Sequence, residues 1–136
     1  MSSDPAASRL PLSVAILTRD EEKHIVRCLN SVAWADEILV VDAMSSDRTV
    51  ELCRDPGASW AGKIRLLERA WTGFRDQRTF AMENARHDWL LVVDADEECS
   101  SELREKLQAL LSGPGGPSHR AYKVRRVEFF LGKRIE

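Results

Sequence analysis

The stretch "WLLVVDADEEC", residues 89–99, decides how the chain is read. Five mostly apolar residues form a run too short for a buried helix and suited to a buried strand. The run ends on Asp94, followed by Asp96, Glu97 and Glu98. Four carboxylates within five residues at the end of a core strand repel one another, and partial burial raises their free energy further. The pattern predicts something positive bound there.

Two further runs share the design. "LPLSVAIL" (10–17) reads as a buried strand ending near Thr18, and "EILVVDA" (37–43) as a second. Between them, "RDEEKHIVRCLNSV" places Ile25, Leu29 and Val32 on one helix face, with acids at the helix start where the dipole favours them. In "SSDRTVELCR", Ser46 or Asp47 can cap a short helix that stops before "DPG". "KIRLLE" supplies a third strand, and Phe74, Arg78, Ala81, Met82 and Ala85 mark a helix over 74–86. Leu103, Leu107, Leu110 and Leu111 mark another over 100–111, and "AYKVRRVEFFLGKRI" is extended.

Strands alternating with helices argue for right-handed β–α–β units, hence an α/β fold with a mostly parallel central sheet. Ligands of such sheets lie beyond the carboxyl ends of the strands. Thr18 to Glu22, Asp42 to Asp47 and Asp94 to Glu98 all fall there, so acids from three strand ends are expected in one crevice. Asp94 and Asp96 lie about 6–7 Å apart by strand rise. Two such carboxylates can share Mg²⁺ or Mn²⁺, hard ions that complete their coordination with water and substrate phosphate. The competing reading has these acids capping the helix that starts near Ser100.

Composition sets the frame. A chain of 136 residues, 43% hydrophobic and 31% charged, suits one globular domain. No apolar run reaches the roughly 18–20 residues of a membrane span, and "MSSDPAAS" lacks the features of a secretory leader. The expected location is cytoplasmic. Cys28, Cys53 and Cys99 have no CxxC spacing and read as core or helix-face residues. His24, His87 and His119 show no metal-ligand spacing. The net charge of −2 divides into +4 from Ser118 onward and −6 before it. That basic tail suits either solvated strand edges or an anionic surface such as the inner face of a membrane.

The succession "LSVAILTRDEEKHIVRCLNSVAWADEILVVDAMSSDRTVELC", "WTGFRDQRTFAMENARHDWLLVVDADEE" and "EFFLGKRI" resembles the family 2 glycosyltransferases, in particular their lipopolysaccharide core β-glucosyltransferase branch. The resemblance implies a GT-A nucleotide-sugar-binding fold, an inverting mechanism and a divalent metal, Mg²⁺ or Mn²⁺. By position it carries Thr18 and Glu21 to the nucleotide pocket, Asp42 to the base, Arg78 to a basic position near the nucleotide, Asp94 to the ribose or sugar, and Asp96 to the metal. The implied partners are a nucleotide-diphosphate sugar, UDP favoured, and a glycan or lipid-linked acceptor, with no nucleic acid. In the implied chemistry an acceptor hydroxyl attacks the anomeric carbon and a nucleoside diphosphate departs.

In the family the general base lies well downstream of the DxD strand, which places it beyond Glu136. The implied layout is a disordered segment 1–11, a nucleotide-sugar-binding α/β domain 12–111, a Gly/Pro linker 112–118, and a basic extended segment 119–136 opening the acceptor-binding part. The alternative is a non-catalytic nucleotide-sugar-binding fragment that lacks the acceptor half and the base. A phosphoryl-receiving domain also gathers acids at parallel strand ends, but the DxD spacing fits it poorly. Two departures from the family pattern stand out. Met44 occupies a position usually held by a small residue such as glycine, where φ > 0 strains a side chain. The stretch around "WAGKIR" is longer than usual.

Overall fold

The computed structural model describes residues 9–113, 128–130 and 133–135. Strand β1 (Leu12–Thr18) leads through helix α1 (Ile25–Val32) to β2 (Glu37–Asp42), then through α2 (Thr49–Cys53) to β3 (Ile64–Glu68). Helix α3 (Phe74–Asn84) returns the chain to β4 (Trp89–Asp94), and α4 (Ser101–Ser112) follows. Strands β5 (Glu128–Phe130) and β6 (Lys133–Ile135) form an antiparallel pair. The main sheet has the order β3-β2-β1-β4 with every pairing parallel.

Residue chemistry accounts for this arrangement. All residues of β1 and β2 are buried, as expected of central parallel strands covered on both faces. Alternation then divides the side chains. Leu12, Val14 and Ile16 face a core shared with α1, α2 and α4, whereas Ala15 and Leu17 face α3. The result is three layers, helix, sheet and helix. Ile25, Leu29 and Val32 are fully buried on α1, together with Cys28. Ser100 caps α4, its hydroxyl accepting from the Leu103 N–H at 3.0 Å.

Two readings are corrected by packing. The acids ahead of α1 do not enter its first turn; residues 19–24 form turns, and the Ile25 N–H bonds the Glu21 carbonyl. On α3 the inward residues are Gln77 and Ala81, while Phe74 and Met82 are exposed. Gln77 is buried because Arg69 satisfies both ends of its amide. The Arg69 Nη1 donates to Oε1 at 2.8 Å, and the Gln77 Nε2 donates to the Arg69 carbonyl at 3.2 Å.

Arg9 and Leu10, in the segment expected to be disordered, are held to the domain. Arg9 pairs with Asp36 at 3.1 Å, and the Leu10 N–H bonds the Leu111 carbonyl at 3.0 Å. Residues 1–8, most of the expected linker and the segment 119–127 lie outside the described residues.

Candidate active site

Strand register sets the frame of the site. Thr18 pairs with Asp42 across β1 and β2, and Leu17 pairs with Asp94 across β1 and β4. The carboxyl ends of three strands therefore share one edge. The chain runs outward from β1 to β3 and then returns to place β4 on the other side of β1, so the switch point lies between β1 and β4.

The loops at this edge separate the acids into two groups. Residues 19–22 and 44–49 are laced together. The Ser46 N–H donates to Asp20 Oδ1 at 2.7 Å, and the Asp20 N–H to Ser45 Oγ at 2.8 Å. The Glu22 N–H donates to Asp47 Oδ2 at 3.1 Å, and the Arg48 N–H to Glu22 Oε2 at 3.2 Å. Asp42 is fully buried and accepts from both the N–H and the hydroxyl of Ser45. Loop N–H groups without a ladder need acceptors, and carboxylates are the strongest at hand. Asp47 shows the effect in its acidity. Desolvation raises its pKa, but bonds from the Thr49 side chain and N–H and from the Glu22 N–H outweigh it and hold the carboxyl below its ordinary range. Asp20, Glu22, Asp42 and Asp47 thus fasten loops, contrary to the expectation that acids of all three strand ends face one crevice.

Fastening carries a strain. Asp20 (φ 52°) and Met44 (φ 59°) both adopt the left-handed conformation. Aspartate tolerates it; an unbranched apolar side chain does so at a cost of about 1–2 kcal/mol. Met44 is 57% exposed and contributes little burial. Met44→Gly is therefore expected to raise stability by about 0.5–1 kcal/mol, after allowing for the extra freedom of glycine in the unfolded chain. Urea denaturation checks this: an unchanged or lowered midpoint contradicts it.

The second group of acids lines a cleft of about 240 Å³ at the switch point. Thr18, Arg19 and Glu21 come from the end of β1, Asp94 and Asp96 from the end of β4, and Trp71 and Phe74 from the start of α3. Glu97 and Glu98 are used elsewhere. Glu97 closes a turn, its N–H bonding the Asp94 carbonyl and its Oε1 accepting from the Asp94 N–H at 2.8 Å. Glu98 lies 3.6 Å from Arg27. With Ser100 capping α4, the capping alternative for Asp94 and Asp96 loses its basis. Asp96 is exposed and accepts no hydrogen bond among the described residues. Beneath this turn the Cys28 thiol points at the Asp94 carbonyl, 3.7 Å away. Burial first, then the Glu97 and Asp96 carboxylates, push its pKa up to about 12.

Four of the six predicted residues, Thr18, Glu21, Asp94 and Asp96, meet in the cleft. Asp42 sits beside Thr18 under the loop, and Arg78 lies on the exposed side of α3 with its guanidinium 4.8 Å from the Phe74 ring centre. Sequence reasoning missed Arg19, Trp71 and Phe74. The available signal was "WTGF": Gly73 adopts φ 119°, ψ 154°, a region open essentially to glycine alone, and so turns the chain into α3 with both rings at the cleft.

No three His, Cys, Asp or Glu side chains form a metal cage among the described residues. The hard donors Asp94 and Asp96 suit Mg²⁺ or Mn²⁺ only in an open site whose remaining positions go to water and phosphate oxygens, the arrangement magnesium favours.

The sequence pattern described as glycosyl transferase family 2 matches residues 13–133. The chain belongs to this family. An uncharacterised glycosyltransferase of Rickettsia typhi is 33% identical over 122 residues, covering 89% of this chain and 40% of that protein. The lipopolysaccharide core biosynthesis glycosyltransferase LpsC of Rhizobium meliloti is 36% identical over 125 residues, covering 91% of this chain and 45% of LpsC. The family 2 chain thus spans less than half the length of these relatives. Its GT-A fold superposes on residues 1–349 of Staphylococcus aureus TarS, solved in complex with UDP-GlcNAc. The TM-score is 0.64 at 26% identity, covering 74% of this chain and 31% of that one.

Proposed function

We propose that the cleft between β1 and β4 binds a nucleotide-diphosphate sugar, UDP favoured, and that the protein transfers the sugar with inversion to an acceptor hydroxyl in cell-envelope glycan synthesis. The observation that carries this reading is the convergence of Thr18, Glu21, Asp94 and Asp96 on one cleft at the switch point. The solved complex of the related TarS with UDP-GlcNAc supports the donor class, and LpsC supports the cell-envelope setting.

Asp96, with Asp94 beside it, would hold a divalent ion, which would supply positive charge to offset that of the leaving diphosphate. Arg19 lines the same cleft, and among the described residues it forms no ion pair. Its guanidinium is placed to meet phosphate oxygens directly. Asp42 recognises the base and fixes the loop after β2, and Arg78 adds positive charge near the nucleotide. The general base belongs to the acceptor-binding side. The proposed location is cytoplasmic.

Titration calorimetry with UDP and UDP-sugars, with and without Mn²⁺, tests the proposal. Metal-dependent binding of UDP is the expected result. A folded sample without affinity for any nucleotide in manganese buffer overturns it. Binding without turnover in the presence of acceptor favours the non-catalytic alternative.

A further inference from the structure

His24 does not line the cleft, yet it holds a residue that does. Its Nδ1 lies 2.9 Å from Glu21 Oε2, and Glu21 lines the cleft beyond the end of β1. An ionised carboxylate accepts only, so the proton of this bond belongs to the ring, and His24 donates from Nδ1. The pair stands partly in water, with 45% of the His24 side chain and 28% of the Glu21 side chain exposed. Such a pair contributes little to folding.

The backbone of Glu21 is fixed independently of His24's ring. The Glu21 N–H donates to Thr49 Oγ1 at 2.8 Å, and the Thr49 hydroxyl donates in turn to Asp47. The Glu21 carbonyl accepts from the His24 and Ile25 N–H groups at 3.0 and 2.9 Å. A glutamate side chain keeps much rotamer freedom even on a fixed backbone, and the bond from the His24 ring removes it. Among the described residues Glu21 Oε1 accepts no hydrogen bond, so one oxygen is held and the other is left to a ligand.

Phosphate is the wrong partner for that oxygen, because two anions repel; Arg19 offers the charge a phosphate needs. Oε1 requires an O–H or N–H donor. Thr49 is fully buried at the start of α2, so its bond ties Glu21 toward the loop after β2, on the Asp42 side of β1 and away from the β4 end that carries Asp94 and Asp96. We infer that His24 is a positioning residue, which aims Glu21 Oε1 at the hydroxyl and N–H donors of the nucleoside without touching the ligand itself. This deepens the nucleotide-sugar reading of the cleft and rests on it.

Calorimetry on the full chain, with UDP in Mn²⁺ buffer and with uridine in metal-free buffer, tests the role. His24→Leu is expected to weaken both ligands about tenfold, as when the binding rotamer is populated a tenth of the time. His24→Asn should restore most of the affinity, because its amide nitrogen stands where Nδ1 does. Asparagine is also a good helix cap, so affinity and not stability is the readout for it. Glu21→Ala should weaken the same ligands, and adding His24→Leu to it should weaken them no further, the mark of a residue that acts through another. The thermal midpoint of His24→Leu should stay near that of wild type; if leucine unfolds the chain, His24→Ala takes its place in the cycle. Independent losses in the double variant, no recovery in a folded His24→Asn, or a loss for UDP with uridine unaffected overturn the assignment. Wild-type protein that binds no nucleotide defeats the nucleotide-sugar reading itself, a result distinct from a failed His24 variant.

Discussion

Glu37→Ala is expected to lower the unfolding free energy by about 3 kcal/mol, a large share of the roughly 5–15 kcal/mol that a domain possesses. Glu37 begins β2, at the end of the sheet opposite the cleft, and its side chain is 3% exposed. Its Oε1 accepts from Ser13 Oγ at 2.8 Å and from the Arg86 N–H at 2.8 Å, and its Oε2 from Arg65 Nη1 at 2.6 Å. Arg86 Nε adds a fourth contact at 3.4 Å. Removing the carboxylate strands a buried hydroxyl, a backbone N–H and a partly buried guanidinium together. Each loses a partner that water cannot fully replace.

The same site makes stability depend on acid. Burial raises the pKa of Glu37, but the bonds from the Arg86 N–H, Arg65 and Ser13 outweigh it, and the carboxyl stays below its ordinary 4.5. A depressed folded value means that the unfolded chain binds the proton more readily. The stabilisation is therefore complete above about pH 4.5 and is lost as pH falls through the folded value. Urea denaturation at pH 7 and at pH 3 measures it. The gap between wild type and Glu37→Ala should narrow at pH 3; a gap that stays constant contradicts the linkage.

The legible parts of the fold were those governed by local pattern. β1 and β2 could be read because central parallel strands are apolar throughout, and α4 because Ser100 precedes a leucine stripe. The α3 face could not be, because Gln77 is buried only through Arg69, a partner contributed by the end of another element. The acids show the same limit. Asp94 and Asp96 were recognisable from their place after a core strand, yet nothing local distinguishes Asp20 or Asp47, which bind a neighbouring loop, from Glu21, which lines the cleft. Carboxylates at strand ends announce a polar edge; which of them face a ligand is decided by the N–H groups of adjacent loops. Trp71 escaped notice because its position depends on the turn at Gly73.

Asp96→Ala is expected to remove metal-dependent UDP affinity, a loss of at least about 100-fold in Mn²⁺ buffer, while the melting temperature stays near that of wild type. The two halves of this prediction have separate grounds. Asp96 is exposed and fastens nothing among the described residues, so its removal costs little fold stability. In the proposed reading its value lies in the ion, and an open magnesium-type site with few protein carboxylates cannot readily replace one. Asp42→Ala serves as the opposite case. Asp42 is fully buried and holds Ser45, so its loss should lower stability by about 2 kcal/mol and weaken nucleoside binding with or without metal. If Asp96→Ala retains the manganese dependence of wild type, the ion is held elsewhere. If Asp42→Ala binds uridine as tightly as wild type, that carboxylate serves the loop alone, and base recognition must come from other groups.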